Sequence, residues 1–481
     1  MTRTTYDLIV IGAGAVGENI ADRAVRGGLS ALIIESELVG GECSYWACMP
    51  SKALLRSGIA LRAAHAVGGA REAVTSAVDV AATFARRDRF TNNWSDEGQV
   101  SWLASAGIDL VRGHGRITGV KEVTVDDVTY TARHAVAVSV GSDALLPDIP
   151  GLAHVSPWTS RDATSATEVP KRLAIIGGGV VAVEMATAYA SFGTAVTIIA
   201  RTVLLSAQEP FASEMVAAAL ERLGVRVLLG TSITSARRAD KNNKDKNNNT
   251  ESTVRLELDT GDLVEADEVL VAIGRTPRTA DIGLDAIGLT AGDWVQVDDT
   301  LLVTGFDWLY ACGDVNRRAL LTHQGKYQAR AAGDVIVARA QGTEVSDSPF
   351  GMHVATADHQ IVPQVTFSDP EVASVGLTAQ AARAAGYDIR VIDYDLGSVA
   401  GAAVQSDHYR GQARMIVDEK RSVIIGMTFV GPDVSELLHA ATIAIVAEVP
   451  LARLWHAVPA YPTVSEIWLR LLEAYGRPSA T

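Results

Sequence analysis

Cysteine is scarce. Three in 481 residues cannot form the disulfide framework that staples small secreted domains. Long apolar runs are missing too: Leu8 to Ile11 and Ile443 to Ala447 are among the longest, much shorter than a membrane span. The N-terminus enters an apolar strand without a basic region, a long apolar stretch or a cleavage site. Positive charge is in the minority, with 42 Lys and Arg against 56 Asp and Glu and a net charge of −14. An acidic surface repels phosphate backbones, so a nucleic-acid partner is not expected, and neither is a membrane. Hydrophobic residues make up 48% of the chain, enough for large cores and far from a disordered composition. The length suits roughly three domains. A cytoplasmic, soluble protein is the expectation.

Two glycine turns stand out. Tyr6 to Ile11, with the unbroken apolar run Leu8 to Ile11, is expected as a buried parallel strand. Gly12-Ala13-Gly14-Ala15-Val16-Gly17 follows, then a helical stretch, then Ala31 to Ile34 ending at Glu35. In such a fingerprint Gly12 makes the tight turn and Gly14 lets the backbone approach a pyrophosphate. Gly17 brings helix against strand, and Glu35 accepts from ribose hydroxyls. A second copy begins at Leu173 to Ile176 and carries Gly177, Gly178, Gly179 and Ala182, then the strand Ala195 to Ile199. Here Ala200 stands where an acid would, followed by Arg201. An arginine can pair with a 2′-phosphate that a carboxylate would repel. That favours NADPH, with NADH possible; a surface arginine without a ligand is the alternative.

Cys43 and Cys48 lie in Gly40-Gly41-Glu42-Cys43-Ser44-Tyr45-Trp46-Ala47-Cys48-Met49-Pro50-Ser51-Lys52. In a regular helix such a pair points about 140° apart, with Cα atoms about 8.6 Å from each other. A disulfide needs less than about 7 Å. A bridge therefore requires a distorted backbone, expected at a helix start after the glycine pair. Two reduced core cysteines are the alternative. No His or further Cys sits nearby at metal-ligand spacing, so no metal is expected.

The cysteine pair followed by Met49-Pro50-Ser51-Lys52 resembles the active site of the FAD-dependent pyridine nucleotide-disulfide oxidoreductases, the family of lipoamide dehydrogenase, glutathione reductase and mercuric reductase. Further motifs appear in order. Val138 to Ser142 with Pro147 and Pro150-Gly151 is similar to the flavin-domain crossover. Ala272 to Pro277 is similar to the segment leaving the nicotinamide domain. Leu309 to Val315 is similar to the second flavin contact, and Pro363 to Glu371 to the start of the dimerisation domain. The resemblance implies an α/β fold: two doubly wound dinucleotide-binding domains, for FAD and NAD(P), plus a C-terminal α+β dimerisation domain. The expected boundaries are 1–160 and 286–355 for the FAD domain, 161–285 for the nicotinamide domain and 356–481 for the interface domain. It implies a homodimer whose active site is shared across the interface.

The resemblance also implies roles. Gly115, Gly141, Ser142 and Asp314 join Gly12, Gly14, Gly17, Glu35 and Lys52 on the FAD side. Gly274 joins Gly177, Gly179, Ala182 and Arg201 on the NADP side. Cys48 lies against the flavin as the charge-transfer thiol, Cys43 exchanges with substrate, and Lys52 pairs with Glu184 beneath the ring. A cation near a thiol lowers its pKa. Hydride passes from NADPH to FAD, and electrons then reach the Cys43–Cys48 disulfide and an external acceptor. Without the family, Lys52 and Glu184 are ordinary helix-surface charges.

The chain departs from the pattern near its C-terminus. Family disulfide reductases usually carry His-Pro-Thr-x-Ser-Glu, whereas this chain has Tyr461-Pro462-Thr463-Val464-Ser465-Glu466. A phenol with a reference pKa of about 10 is a poor base near neutrality, although it can donate a hydrogen bond or a proton. Glu466 is expected to partner Tyr461, and His456 is not assumed to substitute. Tyr45 and Trp46 are also bulkier than the residues common between the family's cysteines. Both changes count against dihydrolipoamide oxidation. Val196 to Arg201 is similar to the nucleotide strand of mercuric reductase, but the chain lacks that enzyme's C-terminal cysteine pair and N-terminal metal domain. Mercury is therefore not the expected acceptor. The leading expectation is an NADPH-dependent reductase of a disulfide or thiol-reactive acceptor. Direct reduction of quinones or dyes and a non-catalytic redox sensor are the alternatives. Residues 236–252, polar and low in complexity, are expected to form a mobile hairpin tip.

Overall fold

A computed structural model describes residues 3–238 and 253–477. The chain divides into two compact units: Met1–Pro50 with Arg86–Leu145 and Gly274–His359, and Ser51–Ala85 with Leu146–Ile273 and Gln360–Thr481. Residues 51–85 and 146–160, expected with the flavin domain, thus cluster with the second unit. Residues 274–285 cluster with the first.

The first unit is built on a parallel sheet. Strand β1 (Thr5–Ile11) is followed by helix α1 (Ala15–Arg26) and strand β2 (Ala31–Glu35). The strands run in the order β3 (Asp109–Arg112), β2, β1, Val128–Val138, with Leu309–Ala311 parallel to the last. β1 is apolar from Leu8 to Ile11 because both its faces are covered there, as parallel sheets require. Leu8, Val10 and Ile33 join a core with Ile20 of α1 and Val335 and Ile336 of the helix Thr322–Gln341. Ile9, Ile11 and Ile34 pack on the other face with Trp308 and Val315.

The second unit repeats the motif. Four parallel strands run in the order Arg226–Leu229, Ala195–Ala200, Arg172–Ile176, Glu268–Val271. The helix Val180–Ser191 packs on them through Val183, Ala186 and Tyr189. An antiparallel ribbon pairs Ile233–Arg238 with Val254–Leu258, so strands flank the polar segment as expected. Of the expected tip, 236–252, Ala236 to Arg238 belong to the strand, and 239–252 lie outside the described residues. After Pro363 comes a five-stranded antiparallel sheet, with Val423–Gly431 central and buried at every position. The helices Leu438–Val446 and Ile467–Tyr475 cover one of its faces through Leu438, Ala441, Ile467 and Leu471. This is the expected mixed α/β architecture. No helix among the described residues is long and apolar enough to cross a membrane.

The two strand–turn–helix copies share one register. Ile11 pairs with Ile34, and Ile176 with Ile199, so Glu35 and Ala200 occupy equivalent strand ends. In the first copy a Cβ on Gly17 would stand 1.9 Å from the Gly12 carbonyl oxygen, inside any allowed contact. Gly17→Ala should therefore force α1 off the sheet and lower stability by about 1–3 kcal/mol, the range for overpacking. A fall in the denaturation midpoint at unchanged m-value would register it.

Candidate active site

In the first unit, two glycines of the first turn differ in what requires them. Gly12 has φ +100°, and a Cβ there would sit 2.5 Å from the Ser139 carbonyl oxygen. Gly14 has ordinary extended geometry, and a Cβ there would meet nothing within 4 Å. Packing does not call for glycine at Gly14; a group approaching the backbone at the N-terminus of α1 does, and the exposed amides there suit a pyrophosphate. Glu35 accepts from the amides of Ala13 (2.6 Å) and Glu37 (2.7 Å), which fixes its carboxylate beside the turn. Gly115 lies beyond the sheet end, where a Cβ would come 3.0 Å from Ile34 Cγ2. The residues thus fit the adenosine diphosphate half of a flavin dinucleotide.

The cysteines belong to the same unit. Gly40 and Gly41 both have positive φ, +109° and +60°. A Cβ on Gly41 would lie 2.7 Å from the Cα of Gly14, so the cysteine segment rests directly on the glycine turn. Helix α2 (Gly41–Tyr45) stops at Trp46, with φ −134° and ψ −8°, and α3 (Cys48–His65) begins with the second cysteine. The break falls between the cysteines, the distortion their spacing demanded. The bulky Tyr45 is turned inward. Its ring is buried, and its hydroxyl donates to the carbonyls of Val39 (3.1 Å) and Ser95 (3.4 Å).

The pair is described as two thiols, the reduced form of the couple. Cys48 Sγ is 3.3 Å from Thr322 Oγ1, at the first residue of the helix Thr322–Gln341. The Cys43 thiol is pushed up, first by its hydrogen bond with Cys48 and then by burial; Thr322 and the cation of Lys326 act in the opposite sense. Neighbouring thiols of this kind titrate as a pair, and the second proton is held hard.

Asp314, within the segment similar to the second flavin contact, accepts from Ser142 Oγ at 2.5 Å. Burial pushes its carboxyl up, and the Ser142 bond and Arg275 oppose this. Arg275 donates from Nε to Ser142 Oγ, also at 2.5 Å. Arg278 pairs with Asp143 at 2.6 Å and stands 3.6 Å from Glu42, the neighbour of Cys43. Gly141 takes φ +75°, and Gly274 takes φ +146°. Gly274, expected on the nicotinamide side, falls in the first unit, where its carbonyl accepts from Leu145.

In the second unit, Lys52 and Glu184 are paired as expected. Lys52 Nζ reaches the two carboxylate oxygens at 3.1 and 2.9 Å. Glu184 is 3% exposed on an otherwise apolar helix, and the amide of Phe367 also donates to it at 3.0 Å. Lys52 lies 4.8 Å from the Phe367 ring centroid. A buried carboxylate is tolerable only with such partners.

The second glycine turn repeats the logic of the first. A Cβ on Gly177 (φ +124°) would stand 2.2 Å from the Ala272 carbonyl oxygen, whereas one on Gly179 would meet nothing within 4 Å. Ala182 is fully buried at the place of Gly17, so its methyl packs in the core. Ala200 is buried at 3%, and Arg201 after it is exposed. These residues fit a second dinucleotide.

Tyr461 and Glu466 are not joined within the chain. The Tyr461 side is 75% exposed, whereas Glu466 is 5% exposed. Glu466 pairs through Oε1 with Arg470 at 2.5 Å, and its buried Oε2 has no hydrogen-bond partner among the described residues. The expected Tyr461–Glu466 hydrogen bond is absent, since the tyrosine is turned out to solvent while the carboxylate is buried. His456 is exposed. Thr322 and Phe367 were not legible as partners, since one acts across a long sequence gap and the other through the backbone.

Two dinucleotide turns and a dithiol at a broken helix define a flavoprotein that exchanges electrons between a pyridine nucleotide and sulfur. Residues 6–342 match the pyridine nucleotide-disulphide oxidoreductase family, and residues 362–471 match its dimerisation domain. The chain belongs to this family. It is 31% identical to dihydrolipoyl dehydrogenase of Thermus scotoductus, over 98% of this chain and 97% of that one. It is 29% identical to mercuric reductase of Staphylococcus aureus, over 96% of this chain and 81% of that one. Among solved structures, the Cu(II) complex of the HOCl-induced flavoprotein disulfide reductase RclA from Escherichia coli shares the fold. Its TM-score is 0.82 at 22% identity, covering 98% of this chain and 99% of that one. The protein is therefore an oxidoreductase of the disulfide-linked class, served by FAD and a pyridine nucleotide, and its dimerisation domain supports a homodimer.

Gly14→Val tests the flavin cradle. The variant should fold with a native circular dichroism spectrum and purify colourless, because the side chain fills space only a ligand needs. A fully yellow preparation would place the flavin elsewhere.

Proposed function

We propose that the protein is an NADPH-dependent flavoprotein reductase of a small disulfide or related thiol-reactive acceptor. The observation that carries this is the dithiol: Cys43 and Cys48, brought together by the helix break and set on the flavin turn by Gly41. FAD, when bound, would relay the electron pair from the nicotinamide to the cysteines. Cys43 is the thiol that attacks the acceptor, and Cys48 the one that closes the disulfide. Lys52, held by Glu184, supplies positive charge for the reduced flavin. Ser142 and Asp314 serve the FAD chain, with Gly115 and Gly141 leaving room beside it. Domain limits of 1–160, 161–285, 286–355 and 356–481 go with this assignment.

NADPH preference rests on the equivalence of Ala200 with Glu35. The strand end that would carry a 2′-phosphate-repelling acid carries a methyl, and exposed Arg201 follows. One charge-assisted contact is worth roughly 1.5–3 kcal/mol, about tenfold to a hundredfold in preference. Arg201→Ala should erase that margin in flavin reduction rates while leaving the NADH rate in place. Equal wild-type rates with the two nucleotides would remove the assignment.

The exposed Tyr461 hydroxyl offers a hydrogen bond, not a base, and this favours a second reading: electrons passing directly to quinones or dyes. Cys43→Ser separates the two. If the dithiol is the outlet, disulfide reduction should fall at least about 10³-fold, the thiolate being the reactive species, while dye reduction persists. Wild-type turnover on quinones alone, unchanged in Cys43→Ser, would put the second reading first.

A further inference from the structure

The turn after the strand Leu309–Ala311 is held from within the core of the first unit by buried polar side chains. Gln328, 0% exposed on the helix Thr322–Gln341, accepts through Oε1 from the amide of Gly313 and from Asn316 Nδ2, both at 2.8 Å. Its Nε2 donates to Asp358 Oδ2 at 2.8 Å, and Gln324 Nε2 donates to Asp358 Oδ1 at the same distance. Asn316 Nδ2 also donates to the carbonyl of Ala311 at 3.0 Å. The Asp358 side chain is fully buried, with Arg318 Nε 3.4 Å away. Burial pushes its carboxyl up, and the Arg318 cation and the two amide donors hold it down. An ionised carboxylate only accepts, so Gln328 must turn its nitrogen to Asp358 and its oxygen to Gly313.

This turn rests on the first glycine fingerprint. Gly313 has φ +83°, and a Cβ on it would stand 3.0 Å from Val16 Cγ2. A Cβ on Gly325 would stand 2.6 Å from the same atom and 3.2 Å from the Gly313 Cα. Asp314 comes next in the chain and accepts from Ser142. Thr322, at the start of the helix that carries Gln328, reaches Cys48. One helix thus supplies both a contact to the thiol and the group that pins the Gly313 amide.

We propose that Asp358 and Gln328 are positioning residues for the flavin: the buried hydrogen bonds from Asp358 through Gln328 to Gly313 and Asn316 fix the turn so that Asp314 meets the FAD. This rests on the assignment of Asp314 to the flavin. The carboxylate polarises the Gln328 amide, and bonds in such a chain strengthen one another. A turn ordered in advance spares the flavin the cost of ordering it on binding. Burying these polar groups carries a desolvation cost that apolar packing would not. The network ends on Gly313 and Asn316, the two residues that bracket Asp314 and Val315.

FAD titrated into the deflavinated full-length protein, followed by flavin fluorescence, tests the proposal. Neither nicotinamide nor acceptor enters, so its failure leaves the disulfide-reductase reading standing. Asp358→Asn must turn an amide nitrogen toward one of the two glutamine donors. It should raise the FAD dissociation constant about tenfold to a hundredfold, the range for one lost charge-assisted hydrogen bond. Gln328→Glu, which sets two carboxylates face to face, should do the same. Combining Gln328→Glu with Asp358→Asn reverses donor and acceptor along the chain and should recover most of the loss. In an Asp314→Ala background, Asp358→Asn should weaken FAD by no more than about twofold, because the group it positions is gone. A purely structural role would give the same loss in both backgrounds. Arg318→Gln removes the cation facing Asp358 and takes the place of Asp358→Asn in this comparison if that variant does not fold. A wild-type constant in the single variants overturns the proposal, as does an equal loss with and without Asp314, or a combined variant no better than its parents. If Asp314→Ala binds FAD as tightly as the wild type, the assignment of Asp314 fails and the proposal with it.

Discussion

The contact between Gly41 and Gly14 sets the position of the chemistry in the first unit. At 2.7 Å from a would-be Cβ to the Gly14 Cα, Gly41 tolerates no side chain without displacing the turn. The turn that suits a pyrophosphate and the helix that carries Cys43 are therefore one construction. The break at Trp46 follows, since α2 must stop for α3 to start with Cys48. Tyr45 locks the short helix by donating to Val39 and Ser95, which explains a large residue between two reactive ones.

Charge is arranged by the same economy. Glu184 lies buried on an apolar helix, satisfied by Lys52 and the Phe367 amide. Asp314 is buried against Ser142, with Arg275 behind it. Glu18 differs, with one buried oxygen that has no partner among the described residues. Buried polar atoms without partners cost roughly 1–3 kcal/mol, so a retained one points to use. Glu466 is a second such case, turned toward Arg470 rather than toward Tyr461.

Local chemistry was legible from the chain. Glycine requirements at Gly12 and Gly177, the burial of β1 and the acid at Glu35 all follow from short-range sterics and unbroken apolar runs. The pairing of Lys52 with Glu184, 132 residues apart, came from family resemblance and not from pattern. Glu18 carried no signal, because an acid in a first helical turn is ordinary; only the helix packed against it gives it a low-dielectric neighbourhood. Tyr461 and Glu466 looked like partners from the family motif, yet Tyr461 is exposed while the buried Glu466 pairs with Arg470 one turn on.

Sequence by itself determined the class of fold, the two dinucleotide turns, the cysteine pair and the need for a distorted backbone between its members. These depend on residue type and spacing over a few positions. Tertiary structure decided which carboxyls are satisfied and which keep an unpartnered oxygen, because desolvation and pairing are set by elements distant in the chain. The strand register that makes Ala200 the counterpart of Glu35 belongs to both: the glycine spacing suggested it, and the sheet fixed it.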